Sequence, residues 1–220
     1  MKKGYSSFCL TLAIFCGVFF STTLVAQTAP VAERLDSYMW HSGVHDGADN
    51  SQISEMVYSS IVRVDNAPWL RLQFSSAYLG SGSYLRITSQ LDGYQQVIDA
   101  RELARWRNTS AYFNGDALLL EFFVAREDQD VFLQMDEIIV GEWAGDPEFL
   151  SQCGPTDDRI QSSEPWSGRI MPIGCTGWIV ADGKYITAGH CISSNAQVLQ
   201  FNVPPSTPGG TAQTPPPEDQ

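Results

Sequence analysis

Thr187-Ala188-Gly189-His190-Cys191 is the stretch of this 220-residue chain whose residue types could do chemistry. Imidazole titrates near neutral pH, so a rigidly held histidine is suited to general-base work. His190 follows the apolar run Tyr185-Ile186-Thr187. Ala188 and Gly189 are small enough for the chain to turn tightly and present the ring at a strand end. Trp178-Ile179-Val180-Ala181-Asp182-Gly183-Lys184-Tyr185-Ile186-Thr187 has the form of a hairpin. Two apolar runs flank Asp182-Gly183, a pair suited to a two-residue turn with positive φ. Cys175 precedes this hairpin and Cys191 follows it. Cys175, His190 and Cys191 are also zinc-ligand types. Adjacent His and Cys reach one ion poorly, however, and a fourth ligand is lacking, so neither metal nor cofactor is expected.

Other candidate residues carry less. His41 and His45 are four apart, with Asp46 and Asp49 close by. On a helix they would share a face and could hold a metal. Gly43 and the polar surroundings argue against a helix, so a solvated loop is expected. Asn108-Thr109-Ser110 fits a glycosylation pattern, and Arg101, Arg105 and Arg107 read as a charged, solvated surface. No Gly-x-Ser-x-Gly elbow occurs in the sequence.

The elements that must position His190 belong to an exported chain. Lys2 and Lys3, the uncharged apolar run Phe8–Phe20 and the small residues before Gln27 read as a signal peptide over 1–26. Secretion is expected, with the periplasm as a possible destination and no membrane attachment after signal removal. The chain holds 13 basic and 25 acidic residues, a net charge of −12 that deepens to −14 once the signal leaves. Such a surface repels phosphate backbones, which excludes nucleic acid as a partner. Cys9 and Cys16 leave with the signal, so Cys153, Cys175 and Cys191 remain. Exported thiols pair, and three is an odd number.

Residues 27–55 show little strand pattern. From Met56 onward, Met56–Val64, Trp69–Ser75, Tyr84–Thr88, Gln95–Ile98, Ala117–Val124 and Val131–Val140 are short runs of Val, Ile, Leu, Phe and Tyr. Trp69–Phe74 alternates as a half-buried strand should. Asn114-Gly115-Asp116 reads as the turn before a buried strand. Ala100–Arg107 alone suggests helix. These runs predict a β-sandwich over 27–150. Residues 141–152 read as a linker, and 151–220 as a second, smaller unit. Pro204–Gln220 is rich in Pro, Gly and Thr and reads as a disordered tail, or as a surface loop of a longer protein.

Gly174-Cys175-Thr176-Gly177-Trp178-Ile179-Val180, taken with Thr187–Cys191, resembles the start of the catalytic domain of trypsin-like serine proteases. Within that family it resembles the bacterial secreted branch that includes the glutamyl endopeptidases. The resemblance covers Cys153–Phe201 and is most specific from Gly174 onward. It implies an all-β chain, an N-terminal β-sandwich followed by the first, incomplete part of a trypsin-like double β-barrel. It also implies a Cys175–Cys191 disulfide, protein or peptide substrates, and His190 as the base. In the family the histidine takes the proton of the attacking serine and returns it to the leaving amine.

The family's triad runs His, Asp, Ser along the chain. After His190 come only Asp219, in a Pro-rich stretch, and Ser193, Ser194 and Ser206, none within Gly-Asp-Ser-Gly. The nucleophilic serine and the triad aspartate are therefore expected outside this chain. Cys153 is left unpaired, its partner expected beyond Gln220. The chain then reads as the N-terminal part of a secreted serine endopeptidase zymogen, inactive by itself. Residues 27–150 would be a propeptide or accessory domain, and Arg159-Ile160 a conceivable maturation cut. The alternative is an exported β-sandwich binding or adhesion module with an inactive protease remnant.

Overall fold

The computed structural model describes residues 31–48, 53–144, 164–192 and 198–220. The expected signal peptide, Asp49, the part of the expected linker from 145 onward, Cys153, Arg159-Ile160, Ser193 and Ser194 lie outside the described residues.

Two antiparallel sheets share one core. The first contains β1 (Glu33–His41), β3 (Trp69–Gln73), β4 (Ser76–Tyr78), β7 (Phe113–Asn114) and β9 (Phe132–Gly141). Its order is β1-β9-β3-β7, with β4 also paired to β9. The second contains β2 (Glu55–Arg63), β5 (Tyr84–Ser89), β6 (Gln95–Asp99) and β8 (Ala117–Val124), in the order β2-β8-β5-β6. Strand side chains alternate between faces, so Leu118, Leu120 and Phe122 point inward from β8. They meet Leu70, Leu72, Ile138 and Val140 of the first sheet in one cluster. The only α-helix among the described residues, α1 (Ala100–Arg105), is capped by Asp99, whose carboxylate accepts from Glu102 N at 2.8 Å. It ends earlier than its sequence suggests, because Arg107 (φ 55°) and Asn108 (φ 58°) take left-handed backbone. Asn114 closes β7, and Gly115 at φ 94° makes the expected turn into β8.

The loop before β5 is held from inside. Buried Asp128 accepts hydrogen bonds from the amides of Ser81 (2.7 Å), Gly82 (2.9 Å) and Ser83 (2.8 Å). The hydroxyls of Ser81 (3.1 Å) and Ser83 (2.7 Å) donate to it as well. Gly80 at φ 65° lies against this carboxylate, where a Cβ would collide with it.

Beyond the linker, β10 (Ser167–Met171), β11 (Cys175–Ile179), β12 (Tyr185–Thr187) and β13 (Val198–Gln200) form a third antiparallel sheet. Its order is β12-β11-β10-β13, and among the described residues no strand joins its two edges. The all-β expectation therefore holds.

Three sequence expectations need correction. Residues 27–55 do contain a strand, the nine-residue β1, paired with β9 along its length. A register shift between Ser37 and Trp40 breaks its alternation, and as an edge strand it leaves Leu35 and Met39 exposed, so no clean period shows. β3 is buried on both faces, not one, and Arg71 is only 3% exposed. The cause is the third sheet: Met171 and Val198 pack on Trp69 and Tyr112, so the first sheet is an inner layer there.

Finally, 204–220 is not a disordered tail: 204–210 is a mostly exposed, irregular loop, and the rest packs inward. Thr211, Thr214 and Pro217 are buried. Asn114 Nδ2 donates to Thr214 O at 2.9 Å, and Thr214 N donates to Asn114 Oδ1 at 2.8 Å. The Gln220 amide pairs in the same way with the backbone of Tyr112. Side-chain amides thus stand in for ladder partners along the β7 edge, which would otherwise be open.

Candidate functional site

His190 sits where strand, turn and disulfide converge. β11 and β12 pair through Gly177–Thr187, Trp178–Ile186 and Ile179–Tyr185. Their turn differs from the two-residue form. Val180 N donates to Lys184 O and Gly183 N to Val180 O, so Ala181, Asp182 and Gly183 form a three-residue loop. Only Gly183 of the three has positive φ, at 77°. A tight turn followed by one left-handed residue is the second common hairpin solution, and glycine takes the left-handed place. Asp182 steadies the loop by accepting from Lys184 Nζ at 2.6 Å. That contact holds the carboxyl below the usual carboxylate range.

After β12 the chain enters a 3-10 turn over Gly189–Cys191. Cys191 is buried there and bonded to Cys175, with Cα atoms 6.1 Å apart. Cys175, Cys191 and Ile170 form a small cluster of their own, with Tyr185 and Leu199 packed against it. The disulfide implied by the resemblance is present, and it ties the first residue of β11 to the turn that carries His190. The imidazole lies exposed beside it, with ring nitrogen and both sulfurs within 4.8 Å of one another. Sulfurs bonded to each other are not thiolate ligands, so this trio is no zinc site while the bridge is intact.

No hydrogen bond or ion pair engages the His190 ring among the described residues. Asp219 is used elsewhere: its carbonyl accepts from Phe201 N and its carboxylate from Asn202 Nδ2 at 3.1 Å. Ser206 lies on an exposed stretch lining a cleft with Glu164 and Arg169. The structure therefore presents an exposed imidazole without bringing an acid or a nucleophile to it among the described residues.

The remaining sequence candidates are structural. His41 Nδ1 accepts from Gly43 N at 2.7 Å, and His45 Nε2 bonds Ser42 O at 2.7 Å. His45 is half-buried, edge-on to Phe122, and bridges Val131, so it is not the solvated loop residue expected. Asn108-Thr109-Ser110 works inward, since Thr109 and Ser110 are buried and both hold Arg71. Arg101, Arg105 and Arg107 are exposed, as expected.

A polar seam that the sequence did not announce joins the two parts of the chain. Arg71 Nε donates to Ser110 O at 2.9 Å, Nη2 to Thr109 Oγ1 at 2.7 Å and Nη1 to Tyr112 Oη at 3.2 Å. Burial pushes the Tyr112 phenol up to about 12, with Arg71 pulling the other way. Arg169 of β10 donates to Gln200 Oε1 and to Gln213 O, and burial presses its pKa down to about 10. Burial likewise raises Glu33, against the pull of Arg71. The buried Trp69 indole N–H has no hydrogen-bond partner among the described residues. These residues are far apart in sequence, and no spacing rule links them.

Comparison of the chain with protein-family models, with curated proteins and with solved structures finds no match.

Proposed function

We propose that this chain carries the histidine-bearing part of a secreted serine endopeptidase, with His190 as the general base. One observation carries the reading: an exposed imidazole at a strand end, fixed by a disulfide between Cys175 and Cys191. A base must be rigid on its backbone side and open on its ring side. The bridge and the hairpin supply rigidity, and the unengaged ring supplies access. The disulfide fits an oxidising compartment outside the cytosol, and no helix among the described residues is long and apolar enough to cross a membrane. On this reading the third sheet is the start of the first barrel, and the serine, the aspartate and the oxyanion-hole amides come from chain beyond Gln220.

The test starts by reading the open frame past codon 220 and expressing its whole product. Labelling by a fluorophosphonate probe, abolished by His190→Ala in a protein that still folds, is the expected result. Labelling unaffected by His190→Ala, or none in the intact product, overturns the proposal. No labelling at all would leave the binding-module alternative, for which the sandwich is the functional part.

A further inference from the structure

The sandwich carries a cavity whose lining residues include none from the strands that lead to His190. It holds about 440 Å³ and opens between the end of β3 and the segment that leaves α1. Arg71, Gln73, Arg105, Trp106, Arg107 and Asn108 are among its walls. Three of the chain's thirteen basic residues thus meet in one cavity of a protein whose net charge is −12. The bland account is a basic helix end, since cations favour a helix C-terminus. It explains Arg105, which reaches the half-buried Glu102 only at 3.4 Å.

It does not explain Arg107. This residue occupies the place just past the helix where glycine or asparagine is favoured, at φ 55°. Left-handed backbone is unfavourable for arginine, because its Cβ then crowds the following carbonyl oxygen. Strained residues of this kind cluster at ligand sites, where the surroundings hold them in place. The Arg107 amide donates to Ala104 O, a bond any residue could make, whereas its guanidinium makes no hydrogen bond or ion pair among the described residues. No internal contact of the side chain therefore accounts for the choice of arginine. Arg71, buried and also in the lining, is fixed by Ser110, Thr109 and Tyr112, and it acts as well on the carboxylate of Glu33, which is not part of the lining. The Gln73 and Asn108 amides add neutral donors. Glu137, opposite Gln73 on β9, is exposed and is not part of the lining.

We infer that this cavity binds a small oxyanion, a carboxylate or sulfate group gripped by Arg105 and Arg107 over the field of Arg71. Guanidinium forks match the planar geometry of such groups. The acidic remainder of the surface repels a long polyanion, which restricts the ligand to a small one. The site is independent of the protease reading, since none of its residues belongs to the third sheet.

Isothermal titration of the whole chain with sodium sulfate and with sodium citrate, each against sodium chloride at matched ionic strength, tests the inference. Saturable binding is expected, weakened about tenfold by Arg107→Asn and by Arg105→Gln, as loss of one charge-assisted contact predicts. Asparagine tolerates left-handed backbone and glutamine keeps the helix, so both variants retain the fold, which circular dichroism checks. Citrate binding more tightly points to an organic carboxylate as the ligand; sulfate binding more tightly points to an inorganic anion. No saturable binding of either anion, or binding equal to wild type in the folded variants, overturns the inference.

Discussion

Asp128→Asn isolates one charge at nearly constant shape. Burial alone would raise the Asp128 carboxyl, but the amides of Ser81 and Gly82 and the hydroxyls of Ser83 and Ser81 outweigh it, holding the pKa at about 2 against an ordinary 3.8. A shift of nearly two units corresponds to about 2.5 kcal/mol of native-state stabilisation at neutral pH. The sign follows from the lowered folded pKa. The unfolded chain takes up a proton first, so the contribution is complete above about pH 4 and lost as pH falls toward 2. The amide keeps one acceptor oxygen and turns an NH2 toward donors, so the loss at pH 7 should be about 2–3 kcal/mol. Urea unfolding of wild type and Asp128→Asn near pH 7 and near pH 3 reads it directly. The gap between the two proteins should shrink by about 1 kcal/mol near pH 3, because the unfolded chain is then largely protonated at this carboxyl while native Asp128 is still ionised. A gap that stays constant across this range, or none at neutral pH, would refute the claim that the Ser81–Ser83 cradle acts as an internal anion site.

Other consequences are as specific. Replacing both Cys175 and Cys191 by serine should weaken the third sheet by about 3 kcal/mol, the chain-entropy value for a loop of this size. Proteolysis under native conditions should then begin near the β11–β12 hairpin, and unchanged resistance there would count against the clamp. Asn114→Ala strips Thr214 of a donor and an acceptor at once, and should loosen 204–220 by about 1–3 kcal/mol. Hydrogen exchange of the Thr214 amide would rise sharply while the sandwich core stays protected. Tyr112 should remain a neutral phenol through about pH 10–11 in the folded protein, ionising only near 12. Its raised pKa means that stability present below about pH 10 is lost as pH climbs toward 12. Alkaline difference absorbance of wild type against Tyr112→Phe should show that late-titrating tyrosine, and its appearance near pH 10 would show the seam to be open to water.

Much of the sandwich was legible along the chain because local patterns carried it. Ala117–Val124 reads as a buried strand from composition alone and is β8, residue for residue. Ala100–Arg107 suggests a helix in sequence and Ala100–Arg105 is one in space, two residues shorter and with an Asp99 cap that the sequence reading did not single out. The hairpin before His190 and the disulfide beside it were likewise readable, one from turn chemistry and the other from family resemblance. β1 was not legible, since an edge strand with a register shift needs no clean alternation and takes its stability from β9.

The sequence by itself determined the periodic strands, the helix and the small residues that let the chain turn into His190, because each depends on neighbours within a few positions. Only tertiary structure decided that Arg71 is buried, that β3 faces two cores, and that 211–220 lies along the β7 edge. Those outcomes depend on partners some forty to a hundred residues away, such as Arg71 with Tyr112 and Asn114 with Thr214. Burial of a charge or of a polar strap is favourable only once such partners have been brought to it, and no local pattern announces them.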